Sequence, residues 1–393
     1  MSDPRPILLV ANALPPLVGG TPMVYDRLAR ACAPQLHILT ASRDADEGKP
    51  IPGWRESDAG KSYPVHRIAW LRPPRIEAFR RRIGLLDLLI VDLPVMLYVL
   101  LRVLILATRI RARTIVVGEL QGLGWLAILL ALISPWRIIL YTHGEEVVQK
   151  TYNRLARLRG PALRAADHVI TVSGFTRDRL IADFQVPAER ISLVTPGVDL
   201  VRFQPGPDAP AERPFVLAVG RLIERKGFDR LIEGFGLIAA DFPDVELVIA
   251  GKGPEEDRLR SIAASSPAAS RIAFRGGIDD ATLDALYRRC TLFAMPNRTL
   301  PDGDTEGFGL IFLEANACGK AVIGGRAGGA TDAVVDGVTG LLVDGDDPAS
   351  IAAALRQLLG DPAARRKMEQ AGFARARTLG WDATARRFLE AVE

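Results

Sequence analysis

Residues 214–233 read PFVLAVGRLIERKGFDRLIE, and this stretch decides the fold. It opens with a continuous apolar run at 215–219, as expected for a strand that is buried on both faces of a parallel sheet. Gly220 and a loop carrying Arg221 and Lys226 follow, and apolar residues then recur with helical spacing. A strand, a glycine-containing loop and a helix in this order predict one unit of a doubly wound α/β domain.

The same alternation continues on both sides of this stretch. Apolar runs that predict parallel strands lie at 7–11, 36–41, 65–69, 114–117, 138–142, 168–172 and 191–195, and again at 245–250, 271–274, 292–295, 321–323 and 340–343. Residues 202–213 are proline-rich and aperiodic, which predicts a linker. The chain has 393 residues, which suits two cores rather than one. We therefore expect two doubly wound Rossmann-like lobes, 1–201 and 214–381, that face each other across a cleft, with residues 382–393 packing back onto the first lobe.

The composition is that of a globular protein, with 48% hydrophobic and 24% charged residues and a net charge of +4. That charge does not argue for nucleic acid, and no aromatic-basic repeat accompanies it. Cys32, Cys290 and Cys318 are widely spaced, which favours a reducing compartment over a disulfide framework or a zinc site. The apolar run near Met1 is too short for a signal peptide. We expect a cytoplasmic protein.

Residues 83–106 form a long apolar stretch that could suggest a membrane span. Asp87, Asp92 and Arg102 interrupt it, and Pro94 would start or break a helix in its middle. A helix seated on the folded protein is the expected structure, and a true span or an interfacial element stays as the alternative.

The loop at 220–227 suits a diphosphate, which needs fixed positive charge beside backbone amides. Arg221 and Lys226 supply the charge, and the following helix supplies amides. A lysine just before a helix is poorly placed unless an anion binds there. Solvated loop cations are the alternative.

Residues 306–314 read EGFGLIFLE. Gly307 and Gly309 permit close backbone approach. Glu306 and Glu314 would lie about 12 Å apart if the segment were mostly helical. That is wider than the roughly 5–9.5 Å of a hydrolase carboxylate pair. The spacing suits two contacts on one elongated ligand, with an ordinary amphipathic helix as the alternative.

Three further segments follow predicted strands and point toward the cleft. His143 lies at a strand end before a glycine, where a hydrogen bond to a bound sugar is its expected work. Gly19 and Gly20 form a loop ahead of a helix, suited to phosphate or sugar. Lys252 and Gly253 close a second-lobe strand, where a plain turn is equally compatible. The remaining histidines, His37, His66 and His168, are interpreted as structural.

Together these segments resemble glycosyltransferase family four, the retaining GT-B enzymes also described as group one glycosyl transferases. Residues 302–307 and 328–330 resemble the phosphatidylinositol and polysaccharide-assembly mannosyltransferases. One departure is Thr195-Pro196-Gly197, where many members carry Pro-Asn-Gly. The resemblance implies catalytic roles for His143, Arg221, Lys226 and Glu306, with His143 near the sugar 6-hydroxyl and Glu306 near its 3- and 4-hydroxyls. It implies donor binding by Gly19, Gly20, Gly220, Lys252, Gly253, Gly307, Phe308, Gly309, Leu310 and Glu314, the last on the ribose.

The expected function is therefore a retaining hexosyltransferase that needs no metal or other cofactor, since Arg221 and Lys226 can neutralise the leaving group. The resemblance favours GDP-mannose, while UDP-glucose and UDP-N-acetylglucosamine stay open. The first lobe would bind a lipid-linked or polysaccharide acceptor and the second the nucleotide sugar. A nucleotide-sugar epimerase on the same scaffold is the alternative.

Basic residues before the apolar stretch suggest peripheral contact with an anionic membrane, at the cytoplasmic face of the inner membrane. They are Arg67, Arg72, Arg75, Arg80, Arg81 and Arg82, with Trp70 among them. A basic loop in front of ordinary core is the alternative.

Overall fold

The computed structural model describes residues 5–45, 48–73, 88–133, 135–148, 154–206 and 212–393. The arginines predicted at 75 and 80–82, together with Asp87 and residues 207–211 of the predicted linker, lie outside these ranges.

The first lobe is built on a parallel sheet of seven strands, which confirms the predicted class. Its strands are β1 (Ile7–Val10), β2 (Leu36–Ala41), β3 (Val65–Ile68), β4 (Thr114–Val117), β5 (Arg137–Thr142), β6 (His168–Thr171) and β7 (Ile191–Leu193), in the order β3-β2-β1-β4-β5-β6-β7. Its helices are α1 (Gly20–Ala31), α2 (Trp54–Ala59), α3 (Leu93–Arg109), α4 (Leu120–Ile133), α5 (Glu145–Val148), α6 (Arg159–Ala165) and α7 (Gly174–Phe184).

The second lobe has a parallel sheet of six strands. They are β8 (Phe215–Val219), β9 (Glu246–Ala250), β10 (Ile272–Gly276), β11 (Leu292–Met295), β12 (Val322–Gly325) and β13 (Gly340–Val343), in the order β10-β9-β8-β11-β12-β13. The helices are α8 (Phe228–Leu237), α9 (Glu256–Ala264), α10 (Asp280–Arg289), α11 (Leu310–Ala317), α12 (Ala330–Ala333), α13 (Pro348–Gly360), α14 (Pro362–Arg377) and α15 (Trp381–Val392). Short 3₁₀ turns cover Arg154–Leu158, Ala188–Arg190, Glu224–Lys226 and Ala269–Arg271.

In both sheets the strand order reverses beside the first strand. The side on which the next strands are added changes between β1 and β4 in the first lobe, and between β8 and β11 in the second. Ligands of open parallel sheets bind at the carboxyl ends of the strands next to such a switch point. The loops after β1, β4, β8 and β11 are therefore the places where a ligand is expected.

The last helix, α15, packs against α1 of the first lobe. The Thr114 hydroxyl donates to the carbonyl of Val392 at 3.1 Å, and the Thr384 hydroxyl donates to the carbonyl of Thr195 at 2.9 Å. At Gly197, a Cβ atom would lie 2.7 Å from the amide nitrogen of Trp381. Because Gly197 has no side chain, the start of α15 can pass close to its backbone. Gly197 belongs to the Pro196-Gly197 turn that the sequence singled out.

The apolar stretch forms a helix on the first lobe. A π-helical turn, Leu88–Asp92, leads into α3, and Pro94 stands in its first turn, where its missing N–H costs nothing. Val99, Val103 and Ala107 are fully buried against the lobe. Among the described residues, one helix, Ile90–Arg109, has the length and apolar composition that would let it cross a membrane.

Arg67 differs from its interpretation as a basic surface residue. Its guanidinium binds Asp58 through two nitrogens at 2.8 Å each, and also donates to the carbonyl of Ala41 at 2.7 Å. The side chain is 3% exposed. Burial of a charge requires such pairing, so Arg67 stabilises the first lobe instead of facing a partner.

Candidate active site

The loop after β8 carries the predicted cations. Residues Glu224–Lys226 form a 3₁₀ turn, and Gly227 then adopts a left-handed φ of 71° before α8 begins at Phe228. A Cβ at Gly227 would lie 2.1 Å from the carbonyl oxygen of Pro296, so only glycine fits. The tight turn fixes the backbone on which Lys226 stands.

Lys226 and Glu306, eighty residues apart in sequence, meet in this site. The lysine Nζ donates to Glu306 Oε2 at 2.6 Å. Arg225 Nη1 lies 3.7 Å from the same oxygen, and Arg221 adds a favourable charge nearby. Burial alone would raise the pKa of Glu306, but Lys226, Arg225 and Arg221 outweigh it, and the pKa is lowered. Glu306 is therefore an ionised carboxylate beside several cations.

Arg225 is a site residue that the sequence reasoning passed over. It is buried, and its Nη1 donates to the carbonyl of Thr305 at 2.7 Å. Its Nη2 lies 4.0 Å from Glu145 of the first lobe. Arg225 thus supports the backbone on which Glu306 stands. Its position in the sequence gives no sign that Arg225 is buried while its neighbour Glu224 is exposed.

His143 follows β5 and is held by a tyrosine from α1. Its Nε2 lies 2.6 Å from the Tyr25 hydroxyl, and that hydroxyl donates to the carbonyl of Gly118. Because the single phenol proton is used on Gly118, Nε2 of His143 must be the protonated nitrogen. Burial lowers the pKa of His143 to about 3, so the ring is neutral and its Nδ1 is a hydrogen-bond acceptor.

The histidine is also fixed from two other sides. Its ring stacks on that of Tyr141, with centroids 5.0 Å apart. Its amide donates to Glu146 Oε1 at 2.6 Å. Burial raises the pKa of Glu146 to about 7. His143 is therefore held in one place and one tautomer.

The two lobes touch at His143 and the glycine after Glu306. A Cβ placed on Gly307 would lie 2.1 Å from the His143 carbonyl oxygen, and one on Gly144 would lie 3.0 Å from Gly307 Cα. The two backbones can approach this closely only because both residues lack a side chain. The contact places the backbone of His143 against the residue that follows Glu306.

An aspartate of the second lobe adds a further link between the lobes. Asp332 accepts hydrogen bonds from the amides of Gly174 at 2.9 Å and Phe175 at 3.1 Å, at the start of α7. A carboxylate at a helix N-terminus is electrostatically favourable. This residue was not found from the sequence, because its partner lies 158 positions away.

Two helices present uncapped N-termini at the site. No side chain caps α1 at Gly19 or α11 at Gly309, which has a left-handed φ of 92°. Their first amides are available to an anion, and the helix dipoles favour negative charge there. Gly20 begins α1, and Tyr25 lies about 7.5 Å further along the axis. Helix α1 therefore reaches His143 through Tyr25, in the turn that follows its first amides.

Glu314 lies within α11, while Glu306 precedes that helix, so the helical rise per residue applies to this segment only from Leu310 onward. The cause is the left-handed Gly309, which delays the helix until Leu310. Glu314 is buried, and Tyr287 donates to its Oε2 at 2.9 Å. Burial raises the pKa of Glu314 to about 7.

The remaining predicted donor residues have mixed surroundings. Gly220 and Gly253 pack against neighbouring backbone and side chains of their own lobe. Lys252 is exposed, and its side chain lies beside Gly277. Phe308 is buried. Across the described ranges, no three His, Cys, Asp or Glu side chains are grouped as a metal site.

Comparison with known proteins places the chain among glycosyltransferases. Residues 18–202 match the family described as Glycosyltransferase Family 4, and residues 202–375 match the one described as Glycosyl transferases group 1. Two similar proteins carry the name GDP-mannose-dependent alpha-(1-6)-phosphatidylinositol monomannoside mannosyltransferase. The protein of Mycobacterium tuberculosis is 34% identical over 378 residues, which is 90% of this chain and 89% of that protein. The protein of Mycolicibacterium smegmatis is 39% identical over 62% of this chain and 68% of its own length.

Solved structures agree on the fold. Anabaena HepE in complex with UDP superposes with a TM-score of 0.78 at 19% identity, covering 98% of this chain and 99% of that one. Sucrose-phosphate synthase from Thermosynechococcus elongatus gives a TM-score of 0.76 at 24% identity, covering 98% of both chains. These comparisons give no support to the epimerase alternative. The chain belongs to glycosyltransferase family 4, with the two-lobed GT-B fold, and is a glycosyltransferase.

Proposed function

We propose that the protein is a retaining mannosyltransferase that uses GDP-mannose and acts on a lipid-linked acceptor of the phosphatidylinositol mannoside class. The observation that supports the proposal most strongly is the ion pair of Lys226 with Glu306, at the point where Gly307 contacts the His143 backbone of the other lobe. The donor and acceptor are proposed from the names of relatives that match along most of the chain.

In this proposal the second lobe, 214–381, holds the donor and the first lobe, 1–201, holds the acceptor. Arg221 and Lys226 bind the diphosphate together with the first amides of α1 and α11. Lys226 would exchange its bond to Glu306 for one to phosphate, which frees the carboxylate for the sugar 3- and 4-hydroxyls. Glu314 would bind the ribose.

His143 is assigned to the sugar 6-hydroxyl. Its Nδ1 would accept a hydrogen bond from that hydroxyl, since Nε2 is committed to Tyr25. A neutral imidazole with a pKa of about 3 is unsuited to general-base work near neutral pH. This supports a positioning contact instead of proton transfer by His143.

The proposed reaction is a same-face substitution at the anomeric carbon. The bond from that carbon to the diphosphate breaks while the acceptor oxygen bonds to the same face, and the acceptor proton moves to an oxygen of the departing diphosphate. The cations at 221 and 226 stabilise the developing negative charge. Lobe closure at Gly307 would exclude water.

A donor panel with a matched lysine control tests this function. GDP-mannose, UDP-glucose and UDP-N-acetylglucosamine are compared for release of nucleoside diphosphate, with and without phosphatidylinositol mannoside in detergent. We expect release from GDP-mannose that depends on acceptor, loss of orders of magnitude in Lys226→Ala, and normal rates in Lys367→Ala, which alters an exposed lysine on α14. Equal rates in both variants would contradict the site.

The stereochemistry is read from the product by NMR. An α-linked product from the α-linked donor is expected. A β-linked product would refute same-face substitution while leaving the donor site intact.

A location at the cytoplasmic face of a membrane belongs to the same proposal, because a lipid acceptor has to be reached there. Peripheral contact is supported by the exposed apolar helix α3.

A further inference from the structure

A buried ion pair stands beside the loop that carries Lys226. Arg298 follows β11 and Asp229 lies in the first turn of α8, and their side chains are 7% and 3% exposed. The guanidinium binds both carboxylate oxygens, with Nη1 donating to Oδ1 at 2.9 Å and Nη2 to Oδ2 at 3.1 Å. A planar contact at two points fixes orientation as well as distance. The pair therefore holds the segment after β11 against the start of α8.

The charges of this pair are balanced inside the protein. Burial alone would raise the pKa of Asp229, but hydrogen bonds from Arg298 and Arg258 outweigh it, and the pKa is lowered. The Arg298 guanidinium also lies 3.6 Å from Glu224 and 3.4 Å from Asp346, two exposed carboxylates. Asp229 is therefore ionised, and the guanidinium has the partners that a buried charge requires.

The segment at 296–298 contacts the donor loop through its backbone. The amide of Arg298 donates to the carbonyl of Arg225 at 2.8 Å. The carbonyl oxygen of Pro296 is the atom that leaves no room for a Cβ on Gly227. These two contacts flank Lys226 in sequence. They therefore fix the backbone from which the lysine side chain extends toward Glu306.

The same segment is anchored to the central sheet of the second lobe. Asn297 is completely buried, and its side-chain amide donates to the carbonyl of Ala327 at 3.0 Å. Its Oδ1 accepts a hydrogen bond from the amide of Gly325, the last residue of β12, at 3.1 Å. Asn297 thus ties the segment to the end of β12, and Arg298 ties it to α8. The donor loop takes its position from these two elements.

We propose that Arg298 is a positioning residue for the transfer reaction: held by Asp229, it keeps segment 296–298 against the backbone of residues 225–227, so that Lys226 meets the donor diphosphate. The inference rests on the proposed function, in which Lys226 exchanges its bond to Glu306 for one to phosphate. A loop that is fixed on both sides lets the side chain make this exchange while the backbone stays in place. Such preorganisation reduces the cost of ordering the site when the donor binds.

Two substitutions of the ion pair test the proposal. Arg298→Lys keeps the positive charge but cannot bind both carboxylate oxygens, and Asp229→Asn keeps the shape but loses the negative charge. We expect each to raise the KM of slow GDP-mannose hydrolysis about tenfold and to weaken GDP binding in calorimetry about as much, because a displaced lysine loses part of a charge-assisted hydrogen bond. GMP affinity should stay the same.

The KM separates positioning from a loss of stability. A variant that was only less stable would contain less active protein, so its apparent kcat would fall while its KM stayed the same. Thermal unfolding of both variants is recorded beside the kinetics. Either variant alone decides the question if the other does not fold.

A matched control replaces a different arginine of the same lobe. The guanidinium of Arg271 donates to the carbonyls of Ala239, Phe242 and Val245 at 2.8, 2.7 and 2.8 Å. Arg271 precedes β10, at the opposite end of the sheet from the donor loop. Arg271→Lys should lower the unfolding temperature, as Arg298→Lys does, and leave the KM and GDP affinity unchanged.

A double-mutant cycle tests whether Arg298 acts through Lys226. In the Lys226→Ala background, Arg298→Lys should change GDP affinity by less than about twofold, because the group that it positions is absent. A full tenfold effect in that background would show that Arg298 acts by another route and would overturn the proposal.

Two further results would overturn it. The first is an unchanged KM and GDP affinity in the folded Arg298→Lys or Asp229→Asn variant. The second is a rise in KM of the same size in Arg271→Lys. If the unaltered chain binds UDP in preference to GDP, the proposed donor is contradicted instead, and the same variants are then compared with UDP.

Discussion

Replacing Tyr25 with phenylalanine removes one oxygen atom beneath His143 and tests how that histidine is held. The hydroxyl makes two contacts, a donated hydrogen bond to the Gly118 carbonyl and an accepted one from His143 Nε2. Each neutral hydrogen bond contributes about 0.5–1.5 kcal/mol, so the change removes about 1–3 kcal/mol. If that energy is used in the transition state, kcat/KM falls roughly 5- to 150-fold.

The assay combines turnover with a direct view of the imidazole. Donor kcat/KM is measured for the variant, and the ring nitrogens of His143 are observed by ¹⁵N NMR. We expect the Nε2-protonated form in the unaltered protein and a mixture of tautomers in Tyr25→Phe. The pKa of about 3 means that neither spectrum should show a charged ring at neutral pH.

Tyr141 supplies a matched control. It is buried and stacks on His143, but its hydroxyl has no hydrogen-bond partner among the described residues. Tyr141→Phe should therefore leave both turnover and tautomer unchanged. If both variants lose activity equally, or if Tyr25→Phe keeps one tautomer and full turnover, the assignment of His143 is refuted.

Three further predictions concern the glycines and the buried glutamate. In Gly307→Ala the new Cβ would lie 2.1 Å from the His143 carbonyl, about 1.3 Å inside ordinary contact, so the lobes must part. Because a displacement of about 1 Å can cost roughly 100-fold, kcat should fall by about that factor, and an unchanged kcat would argue against lobe contact during turnover. In Gly20→Ala the new Cβ would have no atom within 4 Å, and alanine favours a helix start over glycine, so thermal stability should hold or rise. The control Gly60→Ala should behave in the same way, because its Cβ also has no atom within 4 Å. Only Gly20→Ala should weaken donor binding in calorimetry, and normal affinity would show that no phosphate approaches Gly20. Glu314 has its pKa raised to about 7, so its ionised form, the better ribose acceptor, is lost as pH falls below 7, and donor KM should rise there. Glu314→Gln should remove that pH dependence, and its persistence would assign the titration to another group.

The strands were predictable because parallel strands buried on both faces appear as uninterrupted apolar runs. β2, β4, β8, β11 and β13 begin and end where those runs do. The first residue of α11 was harder to predict from the sequence, since it depends on the left-handed conformation of Gly309. A glycine permits that conformation without requiring it, so the sequence alone could not fix Leu310 as the first residue of the helix.

The candidate site was predictable where a residue stands next to a strand end. Lys226 and His143 carry that signal, and Glu306 has the neighbouring glycines. Tyr25 lies inside a helix, and Arg225 shares the loop of Lys226 without a feature that separates it from a solvated cation. Both act through partners that are brought near only by folding.

Arg67 illustrates the opposite error. Six arginines near the apolar stretch resembled one basic patch, yet this one is buried against Asp58. Charge patterning along a chain does not distinguish a solvated cation from one that is paired inside the fold.

The central claim is that Lys226 and Arg221 grip a diphosphate where the lobes meet. Calorimetry with the nucleoside diphosphate of the donor and with its monophosphate tests it directly, in the unaltered chain, in Lys226→Ala and in Arg221→Ala. The account predicts a preference for the diphosphate that shrinks in each variant by about 1.5–3 kcal/mol, the contribution of a hydrogen bond to a charged group, while monophosphate affinity changes little. An equal preference for the diphosphate in all three proteins would contradict it.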